Sequence, residues 1–294
     1  MNVVVIGGTR FIGAAVVRQL VSQGHFVTAY HRGIHNSSLP ASVRNIQRAE
    51  AEMPVMGFVA ELLKPAPDVV IHMIAMGEAD AKAASEFFRG RTGRVVWLSS
   101  GDVYLAYGRF TGLQLGAIEA TPLSEDAPLR TVFYPYRDPA KSAADLANIY
   151  EKILVEHVGL NDPALPGTVL RLPKVYGRED NADLATVYGF RDHPQWRWTH
   201  GYVENVAAAI VLASTNAAAS GRIYNVGEQY TPTIAQRLAK LPPSKVPPNT
   251  NPKFNFEQDI VYDTSRIRRE LGYVETVPEE EAMRAVSAET AAAY

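Results

Sequence analysis

Seven residues near the start of the chain, Gly7-Gly8-Thr9-Arg10-Phe11-Ile12-Gly13, have the types and spacing to hold a pyrophosphate. Gly7 permits a tight turn, Gly8 removes a side chain where phosphates would sit, and Gly13 lets a helix approach the preceding strand. The N–H groups and positive dipole end of a helix opening there would face the anion. A strand-to-helix turn also wants glycine when no ligand is involved, so the motif depends on its context. That context is present. Residues 2–6 (NVVVI) form an apolar β-branched run, and 14–23 read as a helix with Phe11, Ala14, Ala15, Val17 and Leu20 facing a sheet. A second strand is expected at 25–30, where an acid just beyond it would bind the adenosine ribose and favour NAD. The chain instead has His31-Arg32-Gly33, with Arg10 in the glycine loop. Two arginines suit a 2′-phosphate and point to NADP; the alternative is that both are solvated surface side chains.

Other chemistry is thinner. The seven histidines show no metal-ligand spacing, so no metal site is expected. His72, inside an apolar run, reads as a hydrogen-bonded core residue, and His31 and His35 as solvated turn residues. There is no cysteine, hence no disulfide and no thiolate chemistry. Ser99-Ser100 lies in no nucleophile elbow and has no visible His/Asp partners, which argues against a hydrolase. In Gln195-Trp196-Arg197-Trp198, the aromatics could wall a pocket and Arg197 pair with an anion. The same alternation describes an ordinary half-buried strand.

The 294 residues are 47% apolar, with 31 acidic against 29 basic side chains and a net charge of −2. That balance supports neither nucleic acid nor an anionic membrane as partner. No basic leader or long apolar span occurs, so a cytoplasmic protein is expected.

The elements that must position these residues follow in alternation. Strands are expected at 43–47, 68–75 and 94–98, with helices at 52–64 (Val55, Phe58, Val59, Leu62, Leu63 inward) and 78–89. Alternating strands and helices predict an α/β fold, a Rossmann-like doubly wound parallel sheet with a small C-terminal substrate-binding subdomain. Residues 107–137 read as a long loop over the active edge, 140–158 as a helix, 167–172 as a strand, 202–214 as a helix and 223–226 as a strand. Five prolines within 242–252 demand irregular chain, and helices are expected at 263–271 and 279–292. The expected division is a dinucleotide-binding core, 1–170, containing the active-site helix 140–158. A reduced substrate-binding part, 171–294, would be interleaved with it, helix 202–214 packing on the core.

Taken together, GGTRFIG at 7–13, SSGDVY at 99–104, KILVE at 152–156, RLPKVYG at 171–177, YVENVAAAI at 202–210 and YNVGE at 224–228 resemble the extended and atypical short-chain dehydrogenase/reductases, the NAD-dependent epimerase/dehydratase family. The resemblance implies hydride exchange between a nicotinamide and a carbon bearing oxygen. It places Ser100 on the substrate oxygen and Lys152 on the nicotinamide ribose. It also implies that Ala75, Ser99 and Pro173, with residues 7–13 and Arg32, line the cofactor. The family's proton carrier is a tyrosine four residues before the lysine, where a nearby cation favours phenolate. Here that position is Asn148. Tyr150 stands two before Lys152, about 200° away around a regular helix. Three accounts are open: a bulge turns Tyr150 into place; Tyr104, Tyr134 or Tyr136 substitutes; or redox chemistry has been lost. Asp102 could assist water elimination, as acids after this serine do in family dehydratases, or simply cap its loop. The short segment 178–200 and the proline-rich 242–252 suggest a small or unusual substrate, or none; the leading reading is a small hydroxy or carbonyl compound. The competing functions are a non-redox enzyme or nucleotide-bound structural protein on the same scaffold and, remotely, an RNA-binding relative. Family members often form homodimers.

Overall fold

The computed structural model describes residues 1–33, 38–48, 57–177 and 184–292. In chain order the first half runs β1 (Asn2–Ile6), α1 (Phe11–Ser22), β2 (Phe26–His31), β3 (Arg44–Gln47), β4 (Val69–His72), α2 (Glu78–Phe88), β5 (Arg94–Ser100), α3 (Leu105–Thr111), α4 (Leu146–Ile149) and α5 (Lys152–Leu160). The second half runs β6 (Gly167–Leu172), β7 (Lys174–Tyr176), α6 (Ala185–Gly189), β8 (His200–Tyr202), α7 (Val203–Thr215), β9 (Ile223–Asn225), α8 (Ile234–Leu238), α9 (Ser265–Leu271) and α10 (Glu279–Ala292).

Seven strands form one sheet in the order β3-β2-β1-β4-β5-β6-β9, every neighbouring pair parallel. The apolar run of β1 is explained by burial on both faces. Val3 and Val5 pack with Val16, Val17 and Leu20 of α1 and Val206 and Ile210 of α7. Val4 and Ile6 face the opposite layer, with Ala81, Ala84 and Phe88 of α2 and Val155 of α5. Each such large side chain contributes about 1.5–3 kcal/mol by leaving water. The strand order reverses between β1 and β4, and a crevice therefore opens beyond their carboxyl ends. β7 and β8 pair separately, in parallel.

Three expected elements differ. Of the helix expected at 52–64, residues 52–56 lie outside the described residues, and only Ala60–Leu63 turns, as a single 3-10 turn. The expected loop at 107–137 begins inside α3, which closes on left-handed Gly112. The expected helix at 140–158 is broken. Tyr150 (ψ 116°) and Glu151 (φ −156°, ψ 100°) are extended between α4 and α5.

Among the described residues no helix is long and apolar enough to cross a membrane. Likewise, no cluster of three His, Asp or Glu could hold a metal ion.

Candidate active site

The glycine loop has the shape a dinucleotide needs. Gly7 has φ +87°, and a Cβ on Gly13 would lie 2.3 Å from the Gly7 carbonyl oxygen, so any side chain there would push α1 off the strand. The N-cap of α1, Arg10, makes no side-chain capping bond, and the first turn holds no acid. The positive end of the helix thus has no carboxylate of its own to neutralise it, and the residues fit a pyrophosphate. At the end of β2, Arg32 is exposed and His31 Nδ1 accepts from Gly33 N at 3.0 Å. His35 lies outside the described residues.

Beyond β5 and β6 a cavity of about 580 Å³ is lined by Ser100, Asp102, Tyr107, Tyr136, Tyr150, Trp198 and Tyr262, with Lys141, Asp145, Leu146, Ala147, Leu172, Pro173 and Lys174 around them. Side chains alternate along a strand, so adjacent Ser99 and Ser100 face opposite ways. Ser100 lines the cavity, and its Oγ accepts from Asp102 N at 3.4 Å. Ser99, expected beside the cofactor, donates instead to Glu156 Oε1 at 2.6 Å in the interior. Gly101 lies between Ser100 and Asp102 because the Tyr262 ring presses on it: a Cβ would fall 1.4 Å from the Tyr262 hydroxyl.

Asp102 does not act as a loop cap. Its carboxylate is buried, and Oδ2 accepts from the Tyr150 hydroxyl at 2.8 Å and the Tyr136 hydroxyl at 2.9 Å. Tyr136 in turn contacts the Tyr107 hydroxyl at 3.1 Å. Oδ1 is buried with no partner among the described residues, so one strong acceptor is left open. Burial pushes the Asp102 carboxyl above the usual range; the two phenols, Arg130 and Lys152 pull the other way. Burial, and then the Asp102 charge, push the Tyr150 phenol well above its ordinary value. Tyr136 is raised for the same two reasons. A cluster this close carries one negative charge, and the carboxylate holds it.

Lys152 opens α5 and is buried. Its Nζ donates to the carbonyls of Ala75 (2.6 Å) and Leu98 (3.0 Å) and lies 5.5 Å from the Tyr150 ring centre. Burial lowers its pKa to about 8, against the pull of Asp102, Asp80 and Glu156. Ala75 thus contributes a carbonyl to the lysine, and two of the three ammonium N–H groups are used.

The helix break changes where Asn148 and Tyr150 lie relative to Lys152. Asn148 is committed to the preceding loop: its Nδ2 donates to the carbonyls of Asp138, Lys141 and Ser142, and its Oδ1 accepts from Asp138 N. Because residues 150 and 151 are extended, the 200° separation of a regular helix does not apply, and Tyr150 reaches the cavity.

Other candidates lie elsewhere. Tyr104 is fully buried, bonded to Asn225 (2.6 Å) and Arg171 (3.1 Å), and burial raises it to about 12. Tyr134 stacks under Arg137 outside the cavity wall. Trp196 is buried in an aromatic cluster with Phe110, Phe190 and Phe256, its Nε1 donating to Gln258 O at 2.7 Å. Arg197 is paired with Asp259 at 2.8 Å. The cavity wall uses Trp198 instead. His72 is a core residue stacked on Trp97, but with no hydrogen-bond partner among the described residues, and burial lowers it to about 3.

The sequence reading missed Tyr107 and Tyr262 in the wall, and Arg130 and Glu151 behind it. None of these sits at a telling spacing. Only the aromatics of 195–198 hinted at a walled pocket, and of these Trp198 lines it.

The sequence model of the NAD dependent epimerase/dehydratase family matches residues 3–227, and the chain belongs to that family, as an enzyme of the extended short-chain dehydrogenase/reductase type. Solved structures share the fold end to end. Pal from Bacillus thuringiensis is 18% identical with a TM-score of 0.71, the match covering 100% of both chains. The UDP-glucose 4-epimerase of Thermotoga maritima, solved with UDP-glucose, is 18% identical with a TM-score of 0.68, covering 100% of this chain and 99% of that one. The UDP-glucuronic acid 4-epimerase of Bacillus cereus, in complex with UDP-glucuronic acid and NAD, is 15% identical with a TM-score of 0.70, covering 100% of both. No curated protein matches the chain in sequence. The family is named for NAD, and the expectation of NADP finds no support in these likenesses.

Proposed function

We propose that the protein carries out NAD-dependent hydride exchange at a hydroxyl-bearing carbon of a small hydroxy or carbonyl compound, with Asp102 as the proton carrier. The observation that carries this reading is the convergence of Tyr150 and Tyr136 on one oxygen of a buried carboxylate whose other oxygen is open. When bound on the glycine loop, NAD supplies the hydride acceptor or donor. Ser100 holds the substrate oxygen, Tyr150 orients the Asp102 carboxylate, and Asp102 Oδ1 takes the substrate proton as the carbon–oxygen bond becomes a carbonyl. In the reverse direction protonated Asp102 returns it. The phenols remain protonated donors, because Asp102 and burial disfavour phenolate. This differs from the family pattern, in which a lysine promotes phenolate; here Lys152 donates to two carbonyls and keeps one N–H for a ribose hydroxyl. The 1–170 core would bind the dinucleotide, and 171–294, through Pro173, Lys174 and Trp198, would close the substrate side. A cavity of about 580 Å³ is ample for such a substrate.

Arg32, with no acid beside it at the end of β2, is the feature that would favour a 2′-phosphate. Calorimetric titration with NAD⁺, NADH, NADP⁺ and NADPH decides the cofactor. NAD(H) is expected to bind at micromolar strength, followed by turnover of a hydroxy-compound panel that Asp102→Asn abolishes. Failure of all four dinucleotides to bind would remove the redox reading in favour of a non-redox scaffold.

A further inference from the structure

The break between α4 and α5 has no local cause in the sequence, since LANIYEKILVE contains neither proline nor glycine. What holds it open lies on another segment. Glu151 and Arg130 form an ion pair at 3.1 Å with both side chains fully buried. The Glu151 carboxylate also accepts from Ile153 N at 3.0 Å, capping α5, and from Tyr134 N at 2.5 Å, fixing the loop that carries Tyr136. Its own N–H donates to Met76 O at 2.8 Å beyond β4 instead of continuing a helix. Arg130 completes the clasp: Nε donates to the Asp102 carbonyl, and Nη1 to Val132 O at 2.5 Å. One buried pair, with one member next to Tyr150, therefore touches the backbone of Asp102, the loop leading to Tyr136 and the first turn of α5. Neither of its side chains lines the cavity.

We propose that Arg130 and Glu151 are positioning residues, which hold the extended turn at 150–151 and so set the Tyr150 hydroxyl on the Asp102 carboxylate. This rests on the reading of Asp102 and Tyr150 given above. A buried ion pair adds little net stability over a packed apolar pair, because desolvation offsets attraction. Its use here is geometric: a forked guanidinium and a two-oxygen carboxylate reach three chain segments at once. The pair takes the place of the regular helical spacing that sets tyrosine against lysine elsewhere in the family.

The test is a double-mutant cycle read on the titration of Asp102, followed by NMR of isotope-labelled aspartate carboxyl carbons. The resonance is assigned by its absence in Asp102→Asn. The groups facing Asp102 are Tyr107, Tyr136, Tyr150, Tyr262, Arg130 and Lys152. Tyr150→Phe removes one phenol donor and is expected to raise the Asp102 midpoint by about one pH unit. In a Glu151→Gln background, Tyr150 is already released, and Tyr150→Phe is expected to shift the midpoint no further. An undiminished shift in that background overturns the positioning role and leaves Glu151 as a helix cap and counter-charge. No shift on Tyr150→Phe in the otherwise unaltered protein overturns instead the Asp102–Tyr150 pairing itself, so the two failures are distinguishable. If Glu151→Gln leaves Arg130 too costly to bury, Arg130→Met with Glu151→Leu removes both charges at similar volume. The same cycle is then read in that background, with the same two outcomes.

Discussion

Ser99 and Ser100 stand side by side at the end of β5, and each leads to a buried carboxylate. Ser99 donates to Glu156, which is also held by Arg171 at 2.9 Å and 2.7 Å, so both of its oxygens are engaged. Ser100 leads to Asp102, where two phenols share one oxygen and the other has no partner among the described residues. The two clusters sit on opposite sides of one strand. The closed one has nothing left to offer a ligand and acts as scaffold, joining β5, α5 and β6. The open one keeps an acceptor with no partner among the described residues, on a side chain that lines the cavity. An unpaired buried polar atom costs about 1–3 kcal/mol, and at Asp102 that cost falls on a residue of the cavity wall.

The largest effect expected from this contrast is on turnover. Asp102→Asn keeps the shape and a hydrogen-bond acceptor but cannot carry the proton, and is expected to lower turnover by about 10²–10⁴-fold. Melting of the same preparation should show equal or greater stability. Asp102 has its pKa raised in the fold, so its ionised form is disfavoured there at neutral pH, and removing the charge relieves that. Glu156→Gln should behave oppositely. With the Arg171 guanidinium left without its counter-charge, urea unfolding should report a loss of about 3 kcal/mol. Turnover per folded molecule should be retained. A stable Glu156→Gln protein with no activity would erase the distinction between the clusters.

Lys152 sharpens the comparison, because it lies between them. Its pKa of about 8 means that it loses its charge as pH rises through that value, and NAD⁺ affinity measured by calorimetry should weaken above it. Lys152→Met should bind weakly at every pH, without that inflection. The smallest effect concerns a third buried acid. Glu228 accepts from His200 N at 2.9 Å and pairs with Arg237, a closed cluster like that of Glu156, yet burial raises its pKa to about 7. The folded chain keeps this proton where the unfolded chain has released it. Stability contributed through Glu228 is therefore fully present below the ordinary glutamate pKa and falls as pH rises towards about 7. Chemical unfolding at several pH values should show that fall, and Glu228→Gln should flatten it without altering turnover.

The sheet was legible because its causes are local. The apolar run of β1, the glycines beyond it and the amphipathic α1 carry period and punctuation in the residues themselves. The glycine loop was found the same way, whereas Ser100 and Lys152 were assigned through the resemblance of their motifs to the family. The break at 150–151 was not legible, because residues 146–156 have ordinary helix formers throughout. Their interruption is imposed by Arg130, which pairs with Glu151 only once the fold exists. The same holds for α3, hidden in a stretch whose Gly, Pro and Thr content reads as loop. It holds too for Trp196 and Trp198, which share a spacing but differ in depth, so that only Trp198 reaches the cavity. Asp102 was visible as a residue, but its role depends on Tyr136 and Tyr150, 34 and 48 positions away.

The most direct test of the central claim is a crystal structure of the protein with NAD⁺ bound. The account predicts the pyrophosphate on Gly7–Gly13 and the nicotinamide opening into the cavity beside Ser100. The Tyr150 hydroxyl should still lie on Asp102, and the carboxylate within about 3.2 Å, or one water, of a substrate hydroxyl placed over the ring. A nicotinamide that faces away from Asp102, or a Tyr150 turned out of the cavity when the cofactor binds, would contradict it.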